Sequence, residues 1–164
     1  MKAWLGLGSN LQHPAEQLNE ALGRLAAADE VEILKTSSFY KTPPWGDEQQ
    51  EDFINAVVQI ETSLQPLALL HVLQSTENAM GRQRSGRRWG PRLIDIDLLL
   101  FGDRQYQSEE LEVPHPRMHE RAFVLLPLYE LDALTMIPGR GTVAEFLKGL
   151  DCGGISRLKD GHLA

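Results

Sequence analysis

The sequence predicts an α+β fold: a ferredoxin-like βαββαβ antiparallel sheet with two helices on one face, plus C-terminal hairpin and helix additions. Three observations carry this. F-I-N-A-V-V-Q-I-E, residues 53–61, alternates strictly, with Ile54, Ala56, Val58 and Ile60 on one side and Phe53, Asn55, Val57, Gln59 and Glu61 on the other. That is the period of a strand in an antiparallel sheet. Pro14 and Pro66 each open a stretch with apolar residues at helical spacing, where a missing N–H costs nothing. The two helical stretches fall between extended ones, which gives the order β-α-β-β-α-β.

Residues 2–8 are short, apolar and punctuated by Gly6 and Gly8, a first strand. G-S-N at residues 8–10 turns the chain into a helix carrying Ala15, Leu18, Leu22 and Leu25. Residues 31–40 are β-branched and aromatic, and therefore extended. T-P-P-W-G-D-E-Q-Q-E-D at 42–52 is a loop, because two prolines and a glycine forbid regular structure. The alternating strand follows. The second helix runs from Pro66 to about Met80, with Leu69, Leu73 and Met80 on its apolar side, and stops at Gly81. After an arginine-rich loop comes a strand over residues 93–101. Gly102 and Asp103 turn into a short pairing strand around residues 105–107. V-P-H-P-R-M-H-E-R is irregular by its prolines. Residues 121–132 form a helix interrupted by Pro127, and 142–149 a short final helix.

A chain of 164 residues, 42% apolar and 24% charged, is expected to form one domain with an ordinary core. No apolar run reaches the roughly 20 residues needed to cross a bilayer. The first residues lack the apolar length of a signal peptide. Cys152 is the single cysteine, so no internal disulfide is available and a cytoplasmic location is expected. It reads as a bystander. The formal charge of -7 speaks against a general nucleic-acid binder, yet R-Q-R-S-G-R-R-W-G-P-R at 82–92 holds five arginines and no acid. That segment carries +5, which leaves about -12 on the rest. A basic loop on an acidic chain suits a small polyanion such as a nucleoside triphosphate; a merely solvated loop is the plainer alternative.

The chemistry concentrates in R-W-G-P-R-L-I-D-I-D-L-L-L-F at 88–101. Asp95 and Asp97 stand two apart, so they share one strand face, their Cα atoms roughly 6.6–7 Å apart. By alternation Leu93, Leu99 and Phe101 share that face, while Ile94, Ile96, Leu98 and Leu100 fill the core side. Paired carboxylates repel unless a cation lies between them, and hard oxygen ligands suit Mg²⁺ with substrate phosphates. An exposed sheet edge, or a salt bridge to Arg92, would serve as well, and spacing does not separate these. Arg82, Arg84, Arg87, Arg88 and Arg92 immediately precede the strand, and guanidinium forks match phosphate oxygens. Gly81, Gly86 and Gly90 give the loop the freedom of a lid. Trp89 could stack on a planar ring or anchor the loop.

No G-x-x-x-x-G-K-[ST] is present, which excludes a P-loop. Gly6-Leu7-Gly8 lacks the third glycine of a dinucleotide fingerprint, because Leu11 stands there. Gln74 and Glu77 share a helix face, solvated or functional. His115 and His119 sit between prolines with Arg117 and Arg121, better placed as phosphate donors than as zinc ligands.

These pieces together resemble the 6-hydroxymethyl-7,8-dihydropterin pyrophosphokinase family of folate biosynthesis. L-G-S-N-L near the start, S-S-F-Y-K-T-P-P-W-G at 37–46, F-I-N-A-V at 53–57, the arginine–aspartate stretch, and V-P-H-P-R-M-H-E-R-A-F-V-L at 113–125 occur in the family's order. The resemblance implies transfer of the β,γ-pyrophosphoryl group of ATP to the pterin hydroxymethyl oxygen, with release of AMP. It implies two Mg²⁺ ions on Asp95 and Asp97, with Arg82, Arg84 and Arg92 acting with them on the transferring group. For ATP it implies Gln74, Glu77, Arg84, Trp89, Arg92, Leu98, His115 and Arg121. For the pterin it implies Phe53 and Phe123 as faces, Trp89 closing over, Asn55 and Thr42, Pro43, Pro44, Trp45 and Gly46 at the polar edge, and Asp95. A monomer without nucleic-acid or membrane partners is expected. The stretch before V-P-H departs from the family pattern: Glu109, Glu110 and Glu112 do not help hold a triphosphate, and Pro116 replaces an aromatic. Another Mg²⁺-dependent transferase sharing the D-x-D pair, or a non-catalytic ferredoxin-like binding module, would account for the residues apart from the resemblance.

Overall fold

The alternating segment becomes the centre of the sheet. The structure, a computed structural model, describes residues 1–11, 13–43, 52–85 and 94–158, with the main chain but not the side chains of 82–85. Strand β1 (Lys2–Ser9) lies antiparallel to β4 (Phe53–Thr62), whose other side takes β2 (Val31–Thr36) and β3 (Tyr40–Thr42). Strand β5 (Asp95–Phe101) adds antiparallel to the free side of β1. The extended run expected over 31–40 is therefore two strands, broken at residues 37–39. The Ser37 hydroxyl accepts the Val57 N–H there, and the Ser37 N–H donates to the Val57 carbonyl.

One sheet face buries Ala3, Leu5, Leu7, Ile54, Ala56, Val58 and Ile60. Helix α1 (Pro14–Ala26) closes it with Leu18, Ala21 and Leu25, and α2 (Pro66–Ser85) with Leu69, Leu73 and Met80. Helix α2 does not stop at Gly81 as expected. It continues to Ser85, into the arginine-rich segment. A mid-helix glycine costs about 1 kcal/mol. That cost is small enough for the helix to run on through Gly81.

The second face is half covered and half open. Trp4, Val57, Leu99 and Leu100 pack there against Val124, Leu125 and Leu128 of α3 (Ala122–Leu131) and Val143 of α4 (Val143–Lys148). Pro127 lies inside α3 without interrupting it. Interior proline costs about 3 kcal/mol, and the buried apolar side chains on both sides of it offset that.

The alternation expected for β5 fails after Leu99. Leu5 pairs with Leu98 and Trp4 with Leu100, so Leu99 is the extra residue of a bulge. Leu99 and Leu100 then both enter the second core, and Phe101 returns to the first. The strand after Gly102 differs as well: β6 (Tyr106–Gln107) pairs with β7 (Glu112–Val113) rather than folding back on β5. The Gly102 N–H instead donates to the Lys2 carbonyl at 2.7 Å. The C-terminal additions comprise the small pair β8 (Met136–Ile137) and β9 (Gly141–Thr142), helix α4, and β10 (Ser156–Arg157) against β3. No helix among the described residues is long and apolar enough to cross a membrane.

Candidate active site

The open half of the second face is a cavity of about 550 Å³. Strand register builds its floor as two rows. Gly8 pairs with Asn55 on one side and Asp95 on the other, and Gly6 pairs with Val57 and Asp97. Strands lie about 4.8 Å apart, so Asn55 and Asp95 face each other across roughly 10 Å of floor. Only glycine leaves that floor flat. A Cβ at Gly8 would come 2.6 Å from the Asn55 Oδ1, and one at Gly6 3.3 Å from a Leu99 methyl. Neither glycine was read from the sequence as part of a site. Alternate glycines inside an otherwise apolar strand are the signal for a close approach.

Asp95 and Asp97 are exposed on this floor, between buried Ile94, Ile96 and Leu98. The edge of β5 beyond them is closed by Glu77 of α2, whose carboxylate accepts the Ile96 N–H at 2.7 Å. Glu77 thereby holds the main chain between the two aspartates. Asn55 is buried, and its Nδ2 donates to the Thr42 Oγ1 at 3.0 Å, so one amide of β4 is oriented by one hydroxyl of β3. Phe53 lines the cavity from β4, and Phe123 and Val124 line it from α3. Arg121 stands at the start of α3 with its guanidinium carbon 5.7 Å from the centre of the Phe123 ring. Arg117 and Glu120, flanking and ending the short 3-10 helix Met118–Glu120, complete the rim. Sequence reasoning named Arg117 only as a neighbour of the phosphate-donor histidines and gave Glu120 no role.

The structure thus brings Thr42, Phe53, Asn55, Asp95, Asp97, Arg121 and Phe123 around one space. Pro43, Gln74, Glu77, Leu98 and His115 do not line it. Gln74 is exposed on α2, and the Leu98 side chain is core. Pro44, Trp45, Gly46, Trp89 and Arg92, like Arg87 and Arg88, lie outside the described residues, as do the side chains of Arg82 and Arg84.

His115 is not the cationic donor its neighbours in sequence suggest. Burial, together with the nearby Arg121 and Arg140 guanidinium groups, pushes its imidazole down to about 4. Its Nδ1 accepts the Arg117 N–H at 3.2 Å and its carbonyl accepts from Arg140 at 2.7 Å, so Nε2 carries the proton of the neutral ring. The unfolded imidazole titrates near 6.5. Between pH 6.5 and about 4 the unfolded chain therefore binds a proton that the folded ring refuses. The stability that neutral His115 permits is complete above pH 6.5 and declines as pH falls through that window. Thermal unfolding at pH 7.5 and pH 4.5 is expected to show a smaller drop in Tm for His115→Asn than for the parent chain. An equal drop would refute it.

Among the described residues no cluster of three or more His, Cys, Asp or Glu could hold a metal by protein ligands alone. The two floor carboxylates still fit Mg²⁺, which typically takes one or two carboxylates and completes its shell with substrate phosphates and water.

The model of the family described as 7,8-dihydro-6-hydroxymethylpterin-pyrophosphokinase matches residues 4–133, most of the chain and every residue of this cavity. The chain belongs to that family. It is 45% identical over 146 residues to a Haemophilus influenzae protein named 2-amino-4-hydroxy-6-hydroxymethyldihydropteridine pyrophosphokinase, covering 89% of this chain and 91% of that one. A Methylorubrum extorquens protein of the same name is 48% identical over 158 residues, 96% of this chain and 99% of that one. Among solved structures, a wild-type Plasmodium falciparum HPPK-DHPS superimposes with a TM-score of 0.69 at 17% identity over 90% of this chain. An HPPK-DHPS in complex with substrates gives 0.73 at 14% identity over 96%. This chain spans 40% and 46% of those two longer chains, and the likeness supports the mixed α/β fold with its antiparallel sheet.

Proposed function

We propose that this member of the pyrophosphokinase family transfers the pyrophosphoryl group of ATP to the hydroxymethyl oxygen of 6-hydroxymethyl-7,8-dihydropterin, a step of folate biosynthesis. The observation that carries the reading is a cavity lined by two aromatic rings, with a buried amide at one end of its floor and two carboxylates at the other. A pterin is flat with a polar edge. Phe53 and Phe123 offer it two faces, while Asn55 and Thr42 offer the edge its hydrogen bonds. A ring held there points its hydroxymethyl group across Gly8 toward Asp95 and Asp97. Those two carboxylates would hold two Mg²⁺ ions, which neutralise triphosphate charge and favour ionisation of the attacking hydroxyl.

The new bond joins the hydroxymethyl oxygen to the β-phosphorus, and the bond from that phosphorus to the α,β-bridging oxygen breaks. AMP leaves with that oxygen, and the hydroxyl proton passes to solvent. No covalent enzyme intermediate is needed, so the chain's own work is alignment and charge placement. Arg121 faces the cavity for the polyphosphate, and Arg82, Arg84 and Arg92 are assigned to the transferring group, with Trp89 and residues 44–46 closing on the pterin. Gln74, Glu77, Leu98 and His115 are assigned to ATP; Leu98 could serve through its main chain, His115 through a neutral N–H. The strand order β5-β1-β4-β2, antiparallel throughout with α1 and α2 on one face, supports the ferredoxin-like description of the fold. A single domain over 1–164, acting as a cytoplasmic monomer, goes with this reading.

Product analysis tests it. ATP, Mg²⁺ and the reduced pterin should yield AMP and pterin diphosphate in equal amounts, and EDTA should stop the reaction until Mg²⁺ is restored. ADP or free pyrophosphate as product would point to another phosphoryl or nucleotidyl transferase. Binding without turnover would point to a non-catalytic module.

A further inference from the structure

Glu130 lies on α3, outside the cavity lining, and its carboxylate takes several donors. It accepts the Ser38 N–H at 3.1 Å, the Ser38 hydroxyl at 3.0 Å and the Tyr40 hydroxyl at 2.7 Å. The Arg157 guanidinium of β10 stands 3.4 Å away. One side chain of α3 thus ties down β3, the segment before it and the C-terminal strand that borders it.

The register makes these ties relevant to the site. Tyr40 lies directly across from Asn55, and Thr42 across from Phe53. The strand gripped through its Tyr40 is therefore the one that supplies the Thr42 hydroxyl to the Asn55 amide. The same helix carries Phe123, which lines the cavity with Phe53. Phe53 sits on β4 beside β3 and Phe123 on α3, so the spacing of the two rings depends on how α3 is held against β3, and Glu130 joins those two elements. Its bonds to Ser38 and Tyr40 are charge-assisted and therefore stronger than neutral ones, and the Tyr40 bond is the short one at 2.7 Å. Tyr40 keeps its proton, since burial and the adjacent carboxylate raise its pKa.

Resting on the functional reading above, we infer that Glu130 is a positioning residue for the pterin: it sets the width of the Phe53–Phe123 slot and the orientation of the Thr42–Asn55 pair. It touches no substrate. The Glu130→Gln and Tyr40→Phe variants weaken the clamp while preserving volume, and Glu130→Ala removes it.

The test is equilibrium titration of each full-length variant with the pterin, read by pterin fluorescence, alongside steady-state kinetics and thermal unfolding. For Glu130→Ala the pterin Kd and KM should rise about tenfold, the loss of one good hydrogen-bond's worth of order. The KM for ATP and kcat should stay within twofold of the parent, and Tyr40→Phe should show the same pattern at smaller size. A variant with lowered Tm but unchanged pterin Kd would overturn the inference and leave Glu130 a purely structural contact, as would equal rises in both KM values. Should Glu130→Ala not fold, Glu130→Gln and Tyr40→Phe decide in the same way. A parent chain that binds the pterin yet makes no AMP would refute the functional reading alone.

Discussion

Replacing Asp97 with alanine is expected to lower kcat by a factor of 10³ or more, about 4 kcal/mol of barrier, while the protein stays folded. The size follows from what the side chain faces. Asp97 is exposed on the cavity floor beside Gly6, opposite the face whose core is made by Ile96 and Leu98. Removing it takes no atom from either apolar cluster, so Tm should change by only a few degrees. What is lost is one of the two carboxylates proposed to hold the Mg²⁺ that would neutralise triphosphate charge. Asp97→Asn keeps the volume and should lose nearly as much, because the charge and not the shape is required. Turnover of Asp97→Ala within tenfold of the parent would remove the metal assignment from β5. A variant that no longer melts cooperatively would show that the aspartate is structural.

The second large effect belongs to a residue with no side chain. Gly8→Ala should raise the KM for the pterin at least 30-fold, about 2 kcal/mol, with little change in the KM for ATP. The added Cβ meets the Asn55 Oδ1 at 2.6 Å, while its next neighbours are at 3.8 and 3.9 Å. The collision is therefore with the amide alone. Asn55 is buried and held by Thr42, so it can yield only by breaking that bond and turning its polar group away from the pterin edge. Gly6→Ala is the control. Its Cβ comes 3.3 Å from a Leu99 methyl, against 2.6 Å at Gly8, so a shift of a few tenths of an ångström suffices and the KM should change far less. Steady-state kinetics on the two variants decides: equal effects would mean that strand packing, not Asn55, is what Gly8 protects.

Much of the architecture was legible because periodicity reports burial directly. The 53–61 alternation separated Ile54, Ala56, Val58 and Ile60 from Phe53, Asn55 and Val57, and those two sets lie on opposite faces of β4. Pro14 and Pro66 marked two helix starts, because a missing N–H is harmless only there. The two aspartates were legible as a pair for the same reason: strand period two puts them on one face. Where sequence reasoning failed, a partner elsewhere in the chain decided. Gly81 is the exception: one glycine costs a helix only about 1 kcal/mol, too little to end α2. Leu100 and Phe101 exchanged faces because β1 imposes a bulge on β5. Residues 106–107 found β7 instead of β5.

The sequence by itself determined the family to which the chain belongs and singled out the candidates for its chemistry, since motifs and their order are properties of the chain. Only the tertiary structure decided how those residues meet. Gly6 and Gly8 merely punctuate the first strand until register sets Gly6 between Val57 and Asp97 and Gly8 between Asn55 and Asp95. Glu77 looks like a solvated neighbour of Gln74 until it accepts the Ile96 N–H. Glu130 carries no local signal, and its role rests on contacts 90 and 92 residues away along the chain. The physical reason is common to all three. Local pattern records whether a side chain is buried, whereas pairing partner, register and interlayer contact depend on segments distant in sequence that only the folded core brings together.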